Sequence, residues 1–239
     1  MRDEALGRDS TYTSGKSIAE QVVTGLASTV QNRTAPNAAH RYLRSTRRRV
    51  LELVLTISAI AILTPVLVIV AVAVRLSSPG PVFFRQFRNG KSMAMFEMLK
   101  FRSMYWTDET CLAVKQAERD DPRITSVGKI LRKTSLDELP QLINVIRGDM
   151  SLIGPRPHAI EHDLYYGELL PNYSDRFRVC PGITGLAQVS GARGATPHVD
   201  DMKRRIELDL LYMRNASLRL DLQILFRTMK EVFASDAAY

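Results

Sequence analysis

The sequence predicts a mainly α-helical protein with one small β-hairpin, attached to a membrane. Three observations predict this class. A single long apolar run, Val50–Val74, has basic residues on both sides, an Asn-Gly dipeptide separates two short apolar segments, and helical apolar spacing dominates much of the remaining chain. With 239 residues, the chain is long enough for one sizeable core and fits one or two domains.

The formal net charge of +8 indicates an anionic partner, either a lipid leaflet or a polyanionic substrate, although the composition alone fits nucleic acid equally well. The two cysteines, Cys111 and Cys180, have no metal-type spacing and do not make a disulfide framework, so we expect both to be reduced. No apolar h-region follows Met1, and we therefore expect no cleavable signal peptide.

Residues 1–40 lack a sustained apolar period and are predicted to form a disordered N-terminal tail without a catalytic role. Residues 41–76 combine a basic flank with the apolar run, which as a straight helix of 25 residues would reach roughly 37 Å and cross a bilayer core of about 30 Å. The flank contains Arg41, Arg44, Arg47, Arg48 and Arg49.

Two features favour a different path for this helix. Pro65 follows Thr64 near the middle of the run, where it removes a backbone hydrogen bond and predicts a kink that leaves each half too short to span. Basic residues on both flanks favour the cytoplasmic side for both ends. A re-entrant helix-break-helix bent at Thr64-Pro65 satisfies both constraints, with the Thr64 hydroxyl bonding a freed carbonyl; a simple spanning helix is the alternative.

Residues 77–239 are predicted to form the globular part. Pro79-Gly80-Pro81 ends the membrane helix, Val82–Arg85 and Phe96–Phe101 are the predicted strands, and Asn89-Gly90 is the turn. An apolar stripe near the C-terminus is either core or the face of an interfacial amphipathic helix. It contains Leu222, Leu225, Phe226, Met229 and Phe233.

The segment Leu131–Pro157 concentrates the candidate chemistry. A helix is predicted from Asp137 to Ile146, with Ser135 and Glu138 as a capping box. Asp137 and Glu138 are then either ordinary capping residues or carboxylates beside a helix start suited to phosphate oxygens. Basic side chains able to bind the same anion are Arg132, Lys133 and Arg156.

Five motifs extend this pattern along the chain: SSPGPVFFRQ from Ser77, KFRSM from Lys100, DPRITSVGKILRKTSLDELPQLINVIRGDMSLIGPRP from Asp121, PGITGLAQVSG from Pro181 and DLLYMRNASLRLDLQIL from Asp209. In order and spacing they resemble the bacterial sugar transferases, the small monotopic polyprenyl-phosphate phosphoglycosyl transferases, from about Thr46 to Phe233. A match of this length is far more specific than one short motif.

The resemblance implies a re-entrant membrane helix and a cytoplasmic catalytic domain with interfacial amphipathic helices, at the cytoplasmic face of the bacterial inner membrane. It also implies Mg²⁺-dependent transfer of a sugar 1-phosphate, with galactose and glucose 1-phosphate as the leading candidates, from a UDP-sugar to undecaprenyl phosphate, as the first membrane step of exopolysaccharide or other surface glycan synthesis. The expected partners are these two substrates and membrane lipid, not nucleic acid. A homo-oligomer is compatible with the sequence, which does not determine the oligomeric state.

Roles for individual residues follow from the same resemblance. Asp137 is the expected nucleophile that forms an aspartyl phosphosugar, and Glu138 would hold Mg²⁺ together with Asp137 or help deprotonate the lipid phosphate. Arg132 and the stiff turn Pro155-Arg156-Pro157 are expected to bind phosphate or uridine. Lys100 and Arg102 are placed near the active site, with a solvated strand as the competing interpretation.

The chain departs from the family pattern in three places: Thr64 where members usually carry serine, Phe87-Arg88 after Phe-Arg-Gln, and Ala195 where hexose-specific members often carry glutamate, which leaves the sugar open. Two other classes of protein stay open. His158-Ala159-Ile160-Glu161-His162 matches the H-x-x-E-H pattern of a zinc protease. A non-enzymatic membrane adaptor would not need Asp137 and Glu138 at all.

Overall fold

The computed structural model of the protein describes residues 36–106, 121–194, 196 and 198–234. Most of the predicted tail, Cys111, Ala195 and the side chain of Phe233 lie outside the described residues. The tail was predicted to reach residue 40, but helix α1, Pro36–Leu43, begins inside it. Ala39 is fully buried in the main core, so α1 is held by packing that the polar composition of this region does not reveal.

The described residues form fifteen elements of secondary structure. Seven α-helices follow α1. They are α2 Thr46–Ser77, α3 Ser126–Thr134, α4 Gln141–Arg147, α5 Ile160–Leu169, α6 Leu186–Val189, α7 Val199–Asn215 and α8 Leu218–Ala234. The strands are β1 Phe83–Asn89, β2 Met95–Phe101, β3 Ser151–Ile153 and β4 Gly182–Thr184, and short 3-10 turns cover Lys91–Met93, Leu136–Glu138 and Tyr173–Arg178. The predicted mainly α-helical class with a small β-hairpin is confirmed.

The hairpin confirms the predicted strand pair and corrects its turn. β1 and β2 pair antiparallel, with Phe83 opposite Phe101 and Asn89 opposite Met95. The strands are longer than predicted, and the Gly90 N–H donates to the Ala94 carbonyl at 2.8 Å, which closes a longer loop than the two-residue Asn-Gly turn. β2 ends at Phe101. The residue before it is Lys100, one of the predicted substrate-binding residues.

A second, parallel pair of strands was not predicted. β3 and β4 align Ser151 with Gly182 and Ile153 with Thr184. The largest core cluster packs around β3 and joins α1, α6, α7 and α8. This packing fixes the end of β3, from which the Pro155-Arg156-Pro157 turn departs.

Helix α2 is continuous through Pro65, whereas the sequence predicted a helix-break-helix. The Thr64 hydroxyl donates to the Ile60 carbonyl at 2.7 Å, not to the Ala61 carbonyl, whose ordinary i+4 donor would be the missing N–H of Pro65. In the described residues α2 is the one helix long and apolar enough to cross a membrane, and most of its apolar stretch is unburied. The path of its two ends relative to a bilayer stays a prediction.

Both ends of α2 contact the globular part. Near its start, Arg49 donates to the Val145 carbonyl at 2.7 Å, at the end of α4. Near its end, Val70 and Val74 pack against Phe101 and Leu131. Helix α2 is thus fastened at two places to the elements that surround the predicted site.

A buried ion network around Arg48 adds to the attachment at the start of α2. The Arg48 guanidinium lies 3.1 Å from Asp221 and 3.2 Å from Glu52, and it donates to the Ile153 carbonyl at 2.9 Å. Asp221 also accepts hydrogen bonds from the Tyr42 and Tyr212 hydroxyls, both at 2.8 Å. The network ties α1, α2, α8 and the end of β3 together.

Replacing Arg48 by glutamine is expected to destabilise the protein by about 3–5 kcal/mol, because the buried carboxylates of Glu52 and Asp221 lose their cation. The measurement is thermal unfolding in detergent, followed by circular dichroism. The matched control is Arg47→Gln, which removes the same charge from the exposed neighbouring residue. Equal melting temperatures for the two variants would contradict the role of Arg48 in holding these elements together.

Gly128 allows α3 to approach the backbone that follows β2, at Ser103. A Cβ atom at Gly128 would lie 1.9 Å from the Ser103 carbonyl oxygen, so Gly128→Ala forces backbone apart and is expected to cost about 1–3 kcal/mol of unfolding free energy. Gly167→Ala in α5 is the control, because nothing lies within 4 Å and alanine should instead stabilise the helix by about 0.5–1 kcal/mol. Opposite shifts in melting temperature would confirm the close approach; shifts of the same sign would not.

Candidate active site

The carboxylate pair lies on a 3-10 turn between two helices. Ser135 ends α3 in the left-handed conformation, with φ of 59°, and Leu136–Glu138 form the turn that leads through Pro140 into α4. The predicted capping box is wrong, because Ser135 makes no side-chain capping bond here and the Glu138 carboxylate points to cations instead. The predicted end of the helix at Gly148 is confirmed by its left-handed φ of 93°.

Glu138 is held by two basic side chains from distant parts of the chain. Lys100, near the end of β2, donates to Oε1 at 2.9 Å. Arg156 donates Nη1 to Oε2 at 3.0 Å and Nη2 to Oε1 in a short bond. This bidentate pairing fixes the carboxylate plane, since the guanidinium fork matches the two oxygens. The structure therefore brings together three of the residues that the sequence singled out.

Asp137 has a different environment. Its side chain is buried, and none of the hydrogen bonds between described residues involves its carboxylate. Burial raises the pKa of Asp137 to about 6, helped by the negative charge of Glu138 and opposed by Lys100, Arg132 and Arg156. A carboxylate that is poorly solvated and not committed to a partner is well suited to bond another electrophile or cation.

The two neighbouring carboxyl groups are shifted in opposite directions. Burial alone would raise the pKa of Glu138, but Arg156 and Lys100 hold the pKa of Glu138 well below its usual range. Glu138 in turn raises the pKa of Arg156. Glu138 thus stays ionised, while Asp137 gains or loses a proton near pH 6, and such a separation is typical of carboxyl pairs with divided roles.

The Pro155-Arg156-Pro157 turn is fastened by its backbone. The Pro155 carbonyl accepts from the Gly182 N–H at 2.9 Å, next to β4. The Arg156 carbonyl accepts a short hydrogen bond from Arg176, which is buried and also lies 3.1 Å from Asp209. Arg176 was missed by the sequence reasoning, because a single arginine between Asp175 and Phe177 carries no local signal; only the fold places it under the turn.

The remaining predicted residues divide into two groups. Arg132, in the last turn of α3, belongs to the site: burial lowers its pKa, and the charges of Asp137 and Glu138 act in the opposite direction. Arg102 does not join it, because its buried guanidinium donates to the Pro79 carbonyl at 2.8 Å and to the Ser78 and Val74 carbonyls at the end of α2. Arg102 anchors the end of α2, and its predicted substrate contact stays a prediction that these contacts do not support.

Two further arginines approach the site. Arg193 donates to the Ser135 hydroxyl at 2.6 Å, which brings the loop before Ala195 next to the carboxylate turn. Arg88 is half-buried and donates to Gln86 at 2.5 Å; burial and the charge of Arg156 lower its pKa to about 10.

The zinc interpretation does not fit the geometry. His158 precedes α5 instead of lying on it, and its Nδ1 is 2.7 Å from the Tyr173 hydroxyl. His162 packs edge-on against Tyr166, with ring centroids 6.1 Å apart. In the described part of the chain, no group of three His, Cys, Asp or Glu side chains is arranged to hold a metal ion. His158 is a buried structural histidine, and burial together with Arg176 keeps its pKa well below the usual range.

The donor set at the site is nevertheless compatible with Mg²⁺. This cation is often held by one or two carboxylates and takes its other ligands from substrate phosphates and water. Asp137 offers uncommitted oxygens, whereas both Glu138 oxygens already accept bonds from cations. The residues therefore fit Mg²⁺ through Asp137 more readily than through Glu138.

Comparison with known proteins decides the family. The model of the family described as bacterial sugar transferase matches residues 43–235, which is most of the chain. The chain belongs to the bacterial sugar transferase family. The predicted resemblance and the prediction of an enzyme of this class are both confirmed.

Members of the bacterial sugar transferase family with curated names resemble the chain closely. It is 49% identical over 193 residues to the UDP-glucose:undecaprenyl-phosphate glucose-1-phosphate transferase of Caulobacter vibrioides, covering 81% of this chain and 72% of the relative. A protein of the same name from Escherichia coli is 47% identical over 192 residues, covering 80% of this chain but 41% of the relative. The exopolysaccharide production protein PSS of Rhizobium leguminosarum bv. phaseoli is 44% identical over 185 residues, covering 76% of this chain and 92% of the relative.

Proposed function

We propose that the protein transfers a sugar 1-phosphate, with glucose 1-phosphate as the first candidate, from a UDP-sugar to undecaprenyl phosphate and releases UMP. The observation that carries the proposal is the divided carboxylate pair, in which Asp137 is buried and uncommitted while Glu138 is locked between Lys100 and Arg156. The names of the Caulobacter and Escherichia relatives support the donor and the acceptor. The galactose donor, also considered from the sequence, is the second candidate.

In the proposed first step, an Asp137 oxygen attacks the sugar-bearing phosphorus of the UDP-sugar. A new bond forms between that oxygen and phosphorus, the bond from phosphorus to the bridging oxygen breaks, and UMP leaves with the electron pair. In the second step, an oxygen of undecaprenyl phosphate attacks the same phosphorus. The acyl phosphate bond breaks, the Asp137 carboxylate is restored, and the product is undecaprenyl diphosphosugar.

The basic residues bind and orient the diphosphate in this proposal. Arg156 projects from a turn whose two flanking carbonyls are tied down, so its charge is held in place before substrate arrives. Lys100 and Arg132 add positive charge on the other sides of Asp137. Glu138 keeps Lys100 and Arg156 aligned, because its carboxylate accepts hydrogen bonds from both side chains.

Mg²⁺ would complete the proposed site. Asp137 would hold it, and Glu138 would join once Lys100 or Arg156 moves away from the carboxylate. When bound, it would neutralise diphosphate oxygens that otherwise repel an attacking carboxylate. The positive side chains around Glu138 perform part of the same task without metal. Activity is therefore expected to fall with EDTA and to return with added Mg²⁺.

We propose that α2 is re-entrant, with both of its ends at the cytoplasmic face of the inner membrane. In support of this topology, both ends of α2 bind the same globular part, through Arg49 at the start and through the carbonyls held by Arg102 at the end. Exposed apolar side chains on α8 provide a second contact surface for the bilayer. These are Leu218, Leu222, Phe226 and Met229.

Site-directed labelling tests this topology. A cysteine introduced before α1 and one introduced near the end of α8 should both be protected from an impermeant maleimide in intact cells. Both should react after the inner membrane is opened. Labelling of the first position in intact cells would instead indicate a spanning helix. The name of the Rhizobium relative supports a role in exopolysaccharide production, which we propose for this chain as the pathway.

The reaction is tested by UMP release from protein in nanodiscs, with a panel of UDP-sugars, undecaprenyl phosphate and Mg²⁺. Release with UDP-glucose that requires the acceptor for repeated turnover, and that EDTA removes, supports the proposal. Release with another UDP-sugar alone would keep the reaction and change the donor. No release from folded protein with any donor would overturn the proposal and favour the adaptor.

A further inference from the structure

A small cavity lies where α1, the start of α2 and β3 meet. Its volume is about 40 Å³, enough for about three water molecules at ~10–15 Å³ each. Its lining shares no residue with the carboxylate site described above. Ser151 and Ile153 of β3 form one wall, so the cavity lies behind the strand that carries the Pro155-Arg156-Pro157 turn.

The cavity is basic. Among the described residues that line it, five are basic and none is a carboxylate; the five are His40, Arg44, Arg48, Lys91 and Arg178. The other lining residues are neutral and include Cys180 and Tyr212. Such a lining attracts an anion and offers no competing negative charge from its own wall.

Two of these cations are already neutralised. Arg48 is paired with Glu52 and Asp221 in the buried network, and Arg178 lies 2.6 Å from Asp175 on the surface. Arg44 and Lys91 are different, because neither side chain forms an ion pair or hydrogen bond with another described residue. These two exposed side chains hold the positive charge that an incoming anion would meet.

The cavity also lies close to the start of the apolar part of α2. Arg44 lies in the link between α1 and α2, Arg48 lies in the first turn of α2, and the exposed apolar surface of α2 begins at Val50. Basic residues directly beside a membrane segment lie at the level of the lipid phosphates. An anion bound here is therefore within reach of the leaflet into which α2 inserts.

We propose that this cavity binds the phosphate group of an anionic membrane phospholipid, with Arg44 and Lys91 holding the phosphate oxygens and His40 beside them. A soluble phosphate ester offers the same chemistry, but the position next to the membrane entry of α2 favours a lipid. The bound lipid would brace α1, α2 and β3 against one another. This site goes beyond the proposed transfer reaction and does not depend on it.

Cys180 provides a built-in probe, because its thiol lines the cavity and is a free cysteine. The test uses the full chain carrying Cys111→Ser, so that only Cys180 reacts, in nanodiscs of phosphatidylcholine with or without phosphatidylglycerol. Burial raises the pKa of the Cys180 thiol, so the rate of alkylation is compared at one fixed alkaline pH. A third sample adds inorganic phosphate to the phosphatidylcholine discs.

We expect phosphatidylglycerol to slow alkylation of Cys180 by about threefold or more, as an occupancy above roughly two thirds would. The double variant Arg44→Gln/Lys91→Gln should lose this protection. The control Lys129→Gln/Lys203→Gln removes two exposed charges elsewhere and should keep it. Circular dichroism and melting temperature show whether each variant is folded.

The outcomes separate the sources of the phosphate. Protection by phosphatidylglycerol that only the Arg44/Lys91 variant loses supports the lipid site. Equal protection by inorganic phosphate in phosphatidylcholine discs would assign the cavity to a soluble phosphate and overturn the lipid. Unchanged alkylation in every disc, or slowing that persists in the Arg44/Lys91 variant, would overturn the site itself, because surface charge alone would then explain the rates.

Discussion

Replacing Asp137 by asparagine is expected to reduce UMP release by about 10³-fold or more, because an amide is a far poorer nucleophile towards phosphorus than a carboxylate. The substitution keeps the shape of the buried side chain and removes only its charge. The effect should therefore appear in kcat and not through unfolding. The measurement is UMP release with UDP-glucose, in nanodiscs that contain undecaprenyl phosphate.

The control is Asp200→Asn, which changes an exposed carboxylate in the first turn of α7. Without acceptor, the wild-type protein should release about one UMP per active site and retain the sugar phosphate, because the reaction then stops after the first of its two steps. Mass spectrometry should locate that adduct on the peptide containing Asp137. An adduct on another residue, or turnover by Asp137→Asn close to that of the control, would remove Asp137 as nucleophile.

Glu138→Gln is expected to lower kcat by about 10²-fold or more and to change the pH profile. The wild-type rate should rise with pH through about 6, because Asp137 has to be ionised to attack. Removing Glu138 takes away a negative neighbour and leaves the charges of Lys100 and Arg156 unpaired next to Asp137. Both changes favour the ionised form, so the acid limb should move to lower pH by about 1 unit or more.

The control for this variant is Glu207→Gln, an exposed carboxylate on α7 whose loss should leave the profile in place. Arg156→Lys tests the other member of this ion pair. Lysine keeps the positive charge but loses the bidentate contact with Glu138. An acid limb that stays in place or moves to higher pH in Glu138→Gln would contradict the electrostatic coupling of the pair. A purely structural role of Glu138 would lower activity without moving the limb.

The opposite shifts explain why two adjacent carboxylates are not redundant. Glu138 is committed to cations that the diphosphate also needs, so it organises the positive charge of the site. Asp137 lies on the same turn but lacks a fixed partner among the described residues, and its charge is therefore available for chemistry. A carboxylate free of strong hydrogen bonds is the better nucleophile, since attack does not first require those bonds to break.

Local patterns were enough to predict several parts of the fold. The hairpin follows from alternating apolar residues around Asn89-Gly90, and the membrane helix follows from the length of its apolar run. The end of α4 follows from Gly148, because glycine adopts the left-handed conformation without a steric penalty. These features depend on residues close together in sequence, where propensity and turn chemistry act directly.

Predictions failed where a distant partner competed with a local one. Glu138 was expected to cap the Ser135 N–H, but Lys100 and Arg156 offer two positive charges and outcompete a neutral donor. Arg102 caps the end of α2, where carbonyls left unpaired by the helix need donors, and its expected contact with substrate stays a prediction. The helix across Pro65 also remains continuous, although the proline removes one of its hydrogen bonds.

The sequence by itself determined the membrane helix, the hairpin, the carboxylate pair and the basic residues around them, because each is recorded in a local pattern or an extended motif. Only the tertiary structure decided which carboxylate is locked and which is available, placed Arg176 beneath the Arg156 turn, and gathered basic side chains around the cavity at the membrane entry. These properties depend on burial and on the distance between charges. Both are set by packing between segments far apart in the chain, so no local pattern contains them.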